Sequence, residues 1–93
     1  MTAPRIVITG IGGICALGTD VPSIWSSMQA GRQAIGPITT APLHELKVRI
    51  GAEIKELPEH GIDRKRLVTM DRFSLLAAIS AQEALAQSGF AVN

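Results

Sequence analysis

The 93-residue chain has one cysteine, no tyrosine and two histidines. A single cysteine excludes an internal disulfide, and Cys15 has no second thiol with which to build a zinc site. His44 and His60 lie far apart with no Cys or His beside either, so no motif has metal-ligand spacing and both are expected in exposed loops. Aromatics are 3% of the residues, namely Trp25, Phe73 and Phe90, which leaves a core to Ile, Leu, Val and Ala. There is no excess of one charge, with nine basic residues against eight acidic, which argues against nucleic acid or a membrane surface as a general partner. No apolar stretch is long enough to span a bilayer. The opening Arg5-IVITGIGGICALG has the charge and apolarity of a leader. However, glycines at 10, 12, 13 and 18 lower its helix propensity, and Ile14 precedes Cys15 where a lipoprotein signal wants a small residue. A cytoplasmic location and no membrane insertion are expected.

What is present is 46% hydrophobic, a globular composition in a chain sized for one small domain or a piece of a larger one. Arg5–Thr9 is a short β-branched run stopped by Gly10, the pattern of a strand buried on both faces. The glycine-rich stretch to Gly18 predicts a loop needing close backbone approach or positive φ. Thr19 or Asp20 can cap a helix over about Val21–Ala30, with Pro22 in its first turn and Gly31 as its stop. Val21, Ile24, Trp25 and Met28 give that helix one apolar face.

Gly36-Pro37 and Pro42 predict an irregular connection from Arg32 to Leu46. Val48, Ile50, Ala52 and Ile54 then alternate with polar or small residues, predicting a strand with one wet face, broken by Pro58 and Gly61. Asp63 can cap a short basic helix, Arg64–Leu67. Asp71 stands at the start of a long helix reaching Ser88, with Gly89 ending it. That helix is alanine-rich, with Leu75, Ile79 and Leu85 as bulk, a flat face of Ala77, Ala81 and Ala84, and a narrow polar stripe of Ser80, Glu83 and Gln87. Such a helix wants close neighbours on more than one side. Two strands and these helices do not close a domain, and an α/β pattern should deliver another strand after Gly89. The pattern therefore predicts an incomplete domain over 1–93.

Two features invite chemistry. Gly10-Ile11-Gly12 between strand and helix suggests a dinucleotide loop, but Cys15 occupies the third glycine's place and the helix starts too late to meet a pyrophosphate. No nucleotide, metal or other cofactor is expected. Cys15 itself lacks a histidine nearby in sequence, which favours a small packed thiol over a nucleophile. Arg64, Lys65, Arg66 and Arg72 gather positive charge, partly offset by Asp63 and Asp71. Both a solvated helix face and a docking patch for an acidic partner fit that cluster.

Three strings, in this order, carry a resemblance: RIVITGIGGICALG at 5–18, AGRQAIGPI at 30–38 and DRKRLVTMDRF at 63–73, with VRIGAEIK between the last two. They resemble the opening of the β-ketoacyl-(acyl carrier protein) synthases of fatty-acid and polyketide assembly. There a V-I-T-G-x-G strand and loop lead to a Trp-bearing helix, an A-G-x-x-x-I-G-P-I turn and an R-x-x-x-M-D-R-F segment. The resemblance covers essentially the whole chain. It implies an α/β chain forming the N-terminal part of a thiolase-like α-β-α-β-α layered fold, homodimeric when complete. It also implies an acyltransferase whose active-site cysteine accepts an acyl group, with two histidines assisting decarboxylative condensation with malonyl-carrier protein. In that family the cysteine lies in a later T-A-C-S-type motif and the histidines and a supporting lysine later still. No catalytic residue is therefore expected in this chain, and the 93 residues alone are expected to be inactive. A non-catalytic ketosynthase-like subunit of the chain-length-factor type, or a binding fragment, is the alternative.

The resemblance further implies a docking site for acyl carrier protein on the basic helix before the M-D segment. Lys65 matches a basic docking position, with Arg66 and Arg64 beside it. Val68 and Thr69 stand where related synthases often carry Arg or Lys, which weakens the match. Cys15-Ala16 also departs from the Ser-Pro common in that loop.

Overall fold

The computed structural model describes residues 3–91, so the ends of the expected 1–93 segment lie outside the described residues. Helix α1 spans Val21–Gln29 and strand β1 Ile35–Pro37. A single 3-10 turn at Leu43–Glu45 precedes strand β2, Ile50–Ala52. Helix α2 spans Arg64–Leu67 and α3 Arg72–Ser88.

The helix ends follow their local sequence. Asp20 is the N-cap of α1, its Oδ1 accepting from the Ser23 amide at 2.8 Å. At the other end Gly31 takes a φ of 71°, a left-handed turn that a Cβ would penalise. The Asp63 side chain caps α2 by accepting from the Lys65 amide at 3.3 Å. Asp71 occupies the N-cap of α3 without a side-chain bond there, and Gly89, at φ 71°, ends α3.

The strands depart from expectation. No strand forms at Arg5–Thr9 among the described residues: the segment has no neighbouring strand to complete a ladder, and Ile6 and Ile8 are 91% and 85% exposed. A strand does form where an irregular connection was expected. β1 pairs antiparallel with β2, Ile35 opposite Ala52 and Pro37 opposite Ile50. Pro37 is tolerated because a two-stranded ribbon has an open edge on each strand, where a missing N–H goes unnoticed. β2 is also shorter than the alternation predicts, and its faces are reversed. Val48 and Ile50 are exposed while Gly51 and Glu53 are half-buried. The cause is Ile38, whose side chain lies against Gly51 and covers the small-residue face.

The glycine loop 10–18 crosses α3 at van der Waals distance. A Cβ at Gly10 would sit 3.0 Å from the Ala84 carbonyl carbon and overlap its oxygen; one at Gly12 would sit 2.8 Å from the Ser80 carbonyl carbon. Close approach, not positive φ, is what these glycines supply. The loop runs antiparallel to α3, Gly10 over residues 84–88 and Gly12 over 80–84. The polar stripe of α3 flanks it. Ile11 donates its amide to Gln87 Oε1 at 2.8 Å, Gly13 to Glu83 Oε1 at 2.9 Å, and Val21 to Glu83 Oε2 at 2.9 Å.

Burial is thin. Among the described residues, Ile79 on α3 and Ser27 on α1 are the buried ones, each 6% exposed. Ser27 donates its hydroxyl to the Leu17 carbonyl at 2.8 Å, tying α1 to the end of the glycine loop. The Cα radius of gyration is 17.0 Å, against about 12 Å for a compact chain of this length. The accessible surface is 7794 Å², against roughly 5,200 Å² for a folded protein of this mass. Trp25 and Met28, half of the expected α1 core face, remain exposed. The described residues are thus mixed α and β, with apolar faces that this segment does not itself cover.

Candidate functional site

Two surfaces have side chains that could meet a partner or ligand. The first is α2. Its four residues form one turn after the Asp63 cap, and Arg64, Lys65 and Arg66 are all exposed. Val68 follows immediately at 84% exposure, and Phe73, at the start of α3, is 72% exposed. Three exposed cations and two exposed apolar side chains thus fall within residues 64–73. Arg72, grouped with the cations on sequence grounds, turns away: its Nη2 donates to the Ile54 carbonyl at 2.6 Å and fastens α3 to the segment after β2. The Thr69 hydroxyl closes the turn by donating to the Arg66 carbonyl at 2.9 Å.

The second surface is a groove of about 490 Å³ between three segments, 15–19, 32–36 and 53–56. Cys15 lies on its wall, half-buried, in a tight turn where Cys15 and Gly18 exchange backbone hydrogen bonds of 2.9 and 3.1 Å. No histidine is among the groove's lining residues, whose carboxylates are Glu53 and Glu56. Glu53 is committed elsewhere. Its carboxylate accepts from the Thr39 amide at 2.9 Å, the Thr40 amide at 3.0 Å and both hydroxyls. The Thr40 hydroxyl, then the Thr39 amide, hold its carboxyl below the usual glutamate range. Asp20 is lowered likewise by its bonds to Ser23.

The histidines differ from one another. His44 is exposed beside Glu45, 3.7 Å away. His60 is half-buried, contrary to the expected exposed loop, because its ring and backbone both find partners. Its Nδ1 accepts from the Ile62 amide at 3.0 Å, and its carbonyl accepts from Gln82 Nε2 at 2.9 Å. Among the described residues no three His, Cys, Asp or Glu side chains come together as a metal site, and no helix is long and apolar enough to cross a membrane.

Glu83 and Gln87 escaped the sequence reading as functional groups. Their signal was the polar stripe at helical spacing on an otherwise alanine-rich helix, and the glycine pair marked what lies over it.

Known proteins share this sequence over most of its length. A family model described as the beta-ketoacyl synthase N-terminal domain matches residues 3–93. Nodulation protein E of a Rhizobium species is 68% identical over 89 residues, covering 96% of this chain and 22% of that protein. Nodulation protein E of Rhizobium meliloti is 58% identical with the same coverage. The 3-oxoacyl-(acyl-carrier-protein) synthase 2 of a Synechocystis species is 33% identical over 90 residues. The chain spans 22% of the length of these relatives. The match over nearly all of its residues shows that the chain belongs to the beta-ketoacyl synthase family, in its N-terminal domain.

Proposed function

We propose that this chain is the opening segment of a 3-oxoacyl-(acyl carrier protein) synthase, an acyltransferase of thiolase-like layered fold. The whole enzyme joins an acyl thioester to malonyl-carrier protein. Loss of carbon dioxide leaves a carbanion that attacks the thioester carbonyl, a carbon–carbon bond forms, and the thiolate leaves. The observation that carries this reading is the family match over residues 3–93. Higher identity to nodulation protein E than to synthase 2 supports a condensing enzyme that serves nodulation. In this proposal the residues of the chain build the scaffold and a docking surface, and the bond-making groups lie in the rest of the enzyme.

The docking surface is α2. Arg64, Lys65 and Arg66 face solvent beside Val68 and Phe73, the pairing of cations with apolar anchors that suits an acidic carrier protein. Charge there raises the encounter rate and sets orientation.

The test is carrier-dependent condensation by the full-length enzyme, followed by mass spectrometry of the 3-oxoacyl product. Lys65→Glu combined with Arg66→Glu is expected to lower kcat/KM for malonyl-carrier protein about tenfold, through KM, with the loss shrinking at high salt. No product from the unaltered enzyme, with intact carrier protein, would sink the catalytic reading in favour of a non-catalytic ketosynthase-like subunit. An unchanged KM in the double variant would remove α2 from the docking role.

A further inference from the structure

At Gly10 and Gly12 the glycine loop meets the backbone of α3 directly, with no side chain between them. Gly10 and Gly12 lie against the carbonyls of Ala84 and Ser80, and Gly13 meets only the ends of Val21 and Ile24, at 3.7 and 3.6 Å from its would-be Cβ. The polar bonds across this seam come from two side chains, Glu83 to Gly13 and Val21, and Gln87 to Ile11.

The start of α1 shows what the carboxylate contributes. A helix leaves its first amides without internal partners. In α1 the Ser23 amide goes to Asp20 Oδ1, the Ile24 amide to the Asp20 carbonyl, and Pro22 has none. The Val21 amide remains, and Glu83 Oε2 takes it while Oε1 takes Gly13. One residue of α3 thus fixes both ends of the stretch from Gly13 to Val21. Within that stretch lie Cys15–Thr19, one wall of the groove.

We propose that Glu83 is the positioning residue of this loop: its carboxylate clamps Gly13 and Val21 and thereby holds the Cys15–Thr19 wall in place. Two donors converge on the site, and a carboxylate supplies two acceptor oxygens. A glutamine supplies one and turns an NH2 group toward the other amide, donor against donor. The near-isosteric Glu83→Gln variant therefore opens one side of the clamp without creating a cavity. The inference rests on this geometry and stands independently of the condensing reaction.

The experiment is residue-resolved amide hydrogen exchange on the full-length protein, with mass-spectrometric mapping of iodoacetamide labelling at Cys15. In Glu83→Gln, exchange at Gly13 or Val21 is expected to rise at least about tenfold, because a lost backbone partner exposes the amide to local opening. Labelling of Cys15 should rise several-fold, while amides of α2 and the β1–β2 hairpin stay unchanged. Glu83→Asp, too short to span both donors, should behave the same way. Gln87→Ala should affect Ile11 alone, and exposed Glu59→Gln should change nothing. Unchanged exchange at both Gly13 and Val21 would overturn the proposal. So would a rise spread equally over the hairpin and α2, which would make Glu83 a general stability residue.

Discussion

Two glutamates in this chain each accept from two backbone amides, and they do so across very different spans of sequence. Glu53 holds Thr39 and Thr40, fourteen and thirteen residues away, within one hairpin. Glu83 holds Gly13 and Val21, seventy and sixty-two residues away. Glu53 also gathers the two threonine hydroxyls, and these bonds lower its pKa. Glu83, half-buried like Glu53, joins a loop, the start of α1 and α3. A local clamp stabilises a turn that the ribbon already favours. A long-range clamp ties a loop, a helix start and a second helix through one side chain.

The surroundings of the two clamps differ in the same sense. At the loop seam the glycines meet rigid backbone of α3; at the hairpin Gly51 meets the flexible end of Ile38, 3.4 Å from a would-be Cβ. The largest expected effect is therefore Gly12→Ala, about 3 kcal/mol of lost stability in chemical denaturation, because neither loop nor helix carbonyl can give way. Gly89→Ala comes next, at about 1 kcal/mol, the cost of a Cβ at φ 71° in open space. Gly51→Ala should change stability by less than about 0.5 kcal/mol, since the added methyl would meet Ile38 only at ordinary van der Waals distance. A Gly51 effect as large as that of Gly12 would break the comparison.

The smallest effect concerns pH. The folded pKa of Glu53 is depressed, so the stability its bonds contribute is fully present above the ordinary glutamate range and is lost as pH falls through the lowered value. Amide exchange at Thr39 and Thr40, corrected for its intrinsic pH dependence, should show local opening as pH drops below about 4. Glu53→Gln should remove that pH response. A response that persists in the glutamine variant would place its origin in another group.

Local features were legible in the sequence. Asp20, Gly31, Asp63 and Gly89 act on backbone groups within a few residues of themselves, so their positions alone foretold the starts of α1 and α2 and the ends of α1 and α3. The exposed cations of α2 were legible too, because a one-turn helix capped by Asp63 leaves them nowhere to be buried. Arg72 was not: its guanidinium reaches the Ile54 carbonyl, a partner eighteen residues away. The hairpin was missed because Gly36-Pro37 resembles a turn, and strand character there depends on β2 lying alongside. The β-branched run at Arg5–Thr9 shows the reverse case, strand chemistry without a neighbouring strand.

The sequence by itself determined the family, the helix boundaries and the charge of α2, since these rest on residue order and on interactions within a turn of chain. The tertiary structure alone decided which face of β2 is covered, that Arg72 leaves the basic cluster, and that Glu83 and Gln87 of the α3 polar stripe bond to amides of the glycine loop. Each of those outcomes depends on a partner distant in sequence, and the amide that a carboxylate will meet is chosen only when the chain brings the two together.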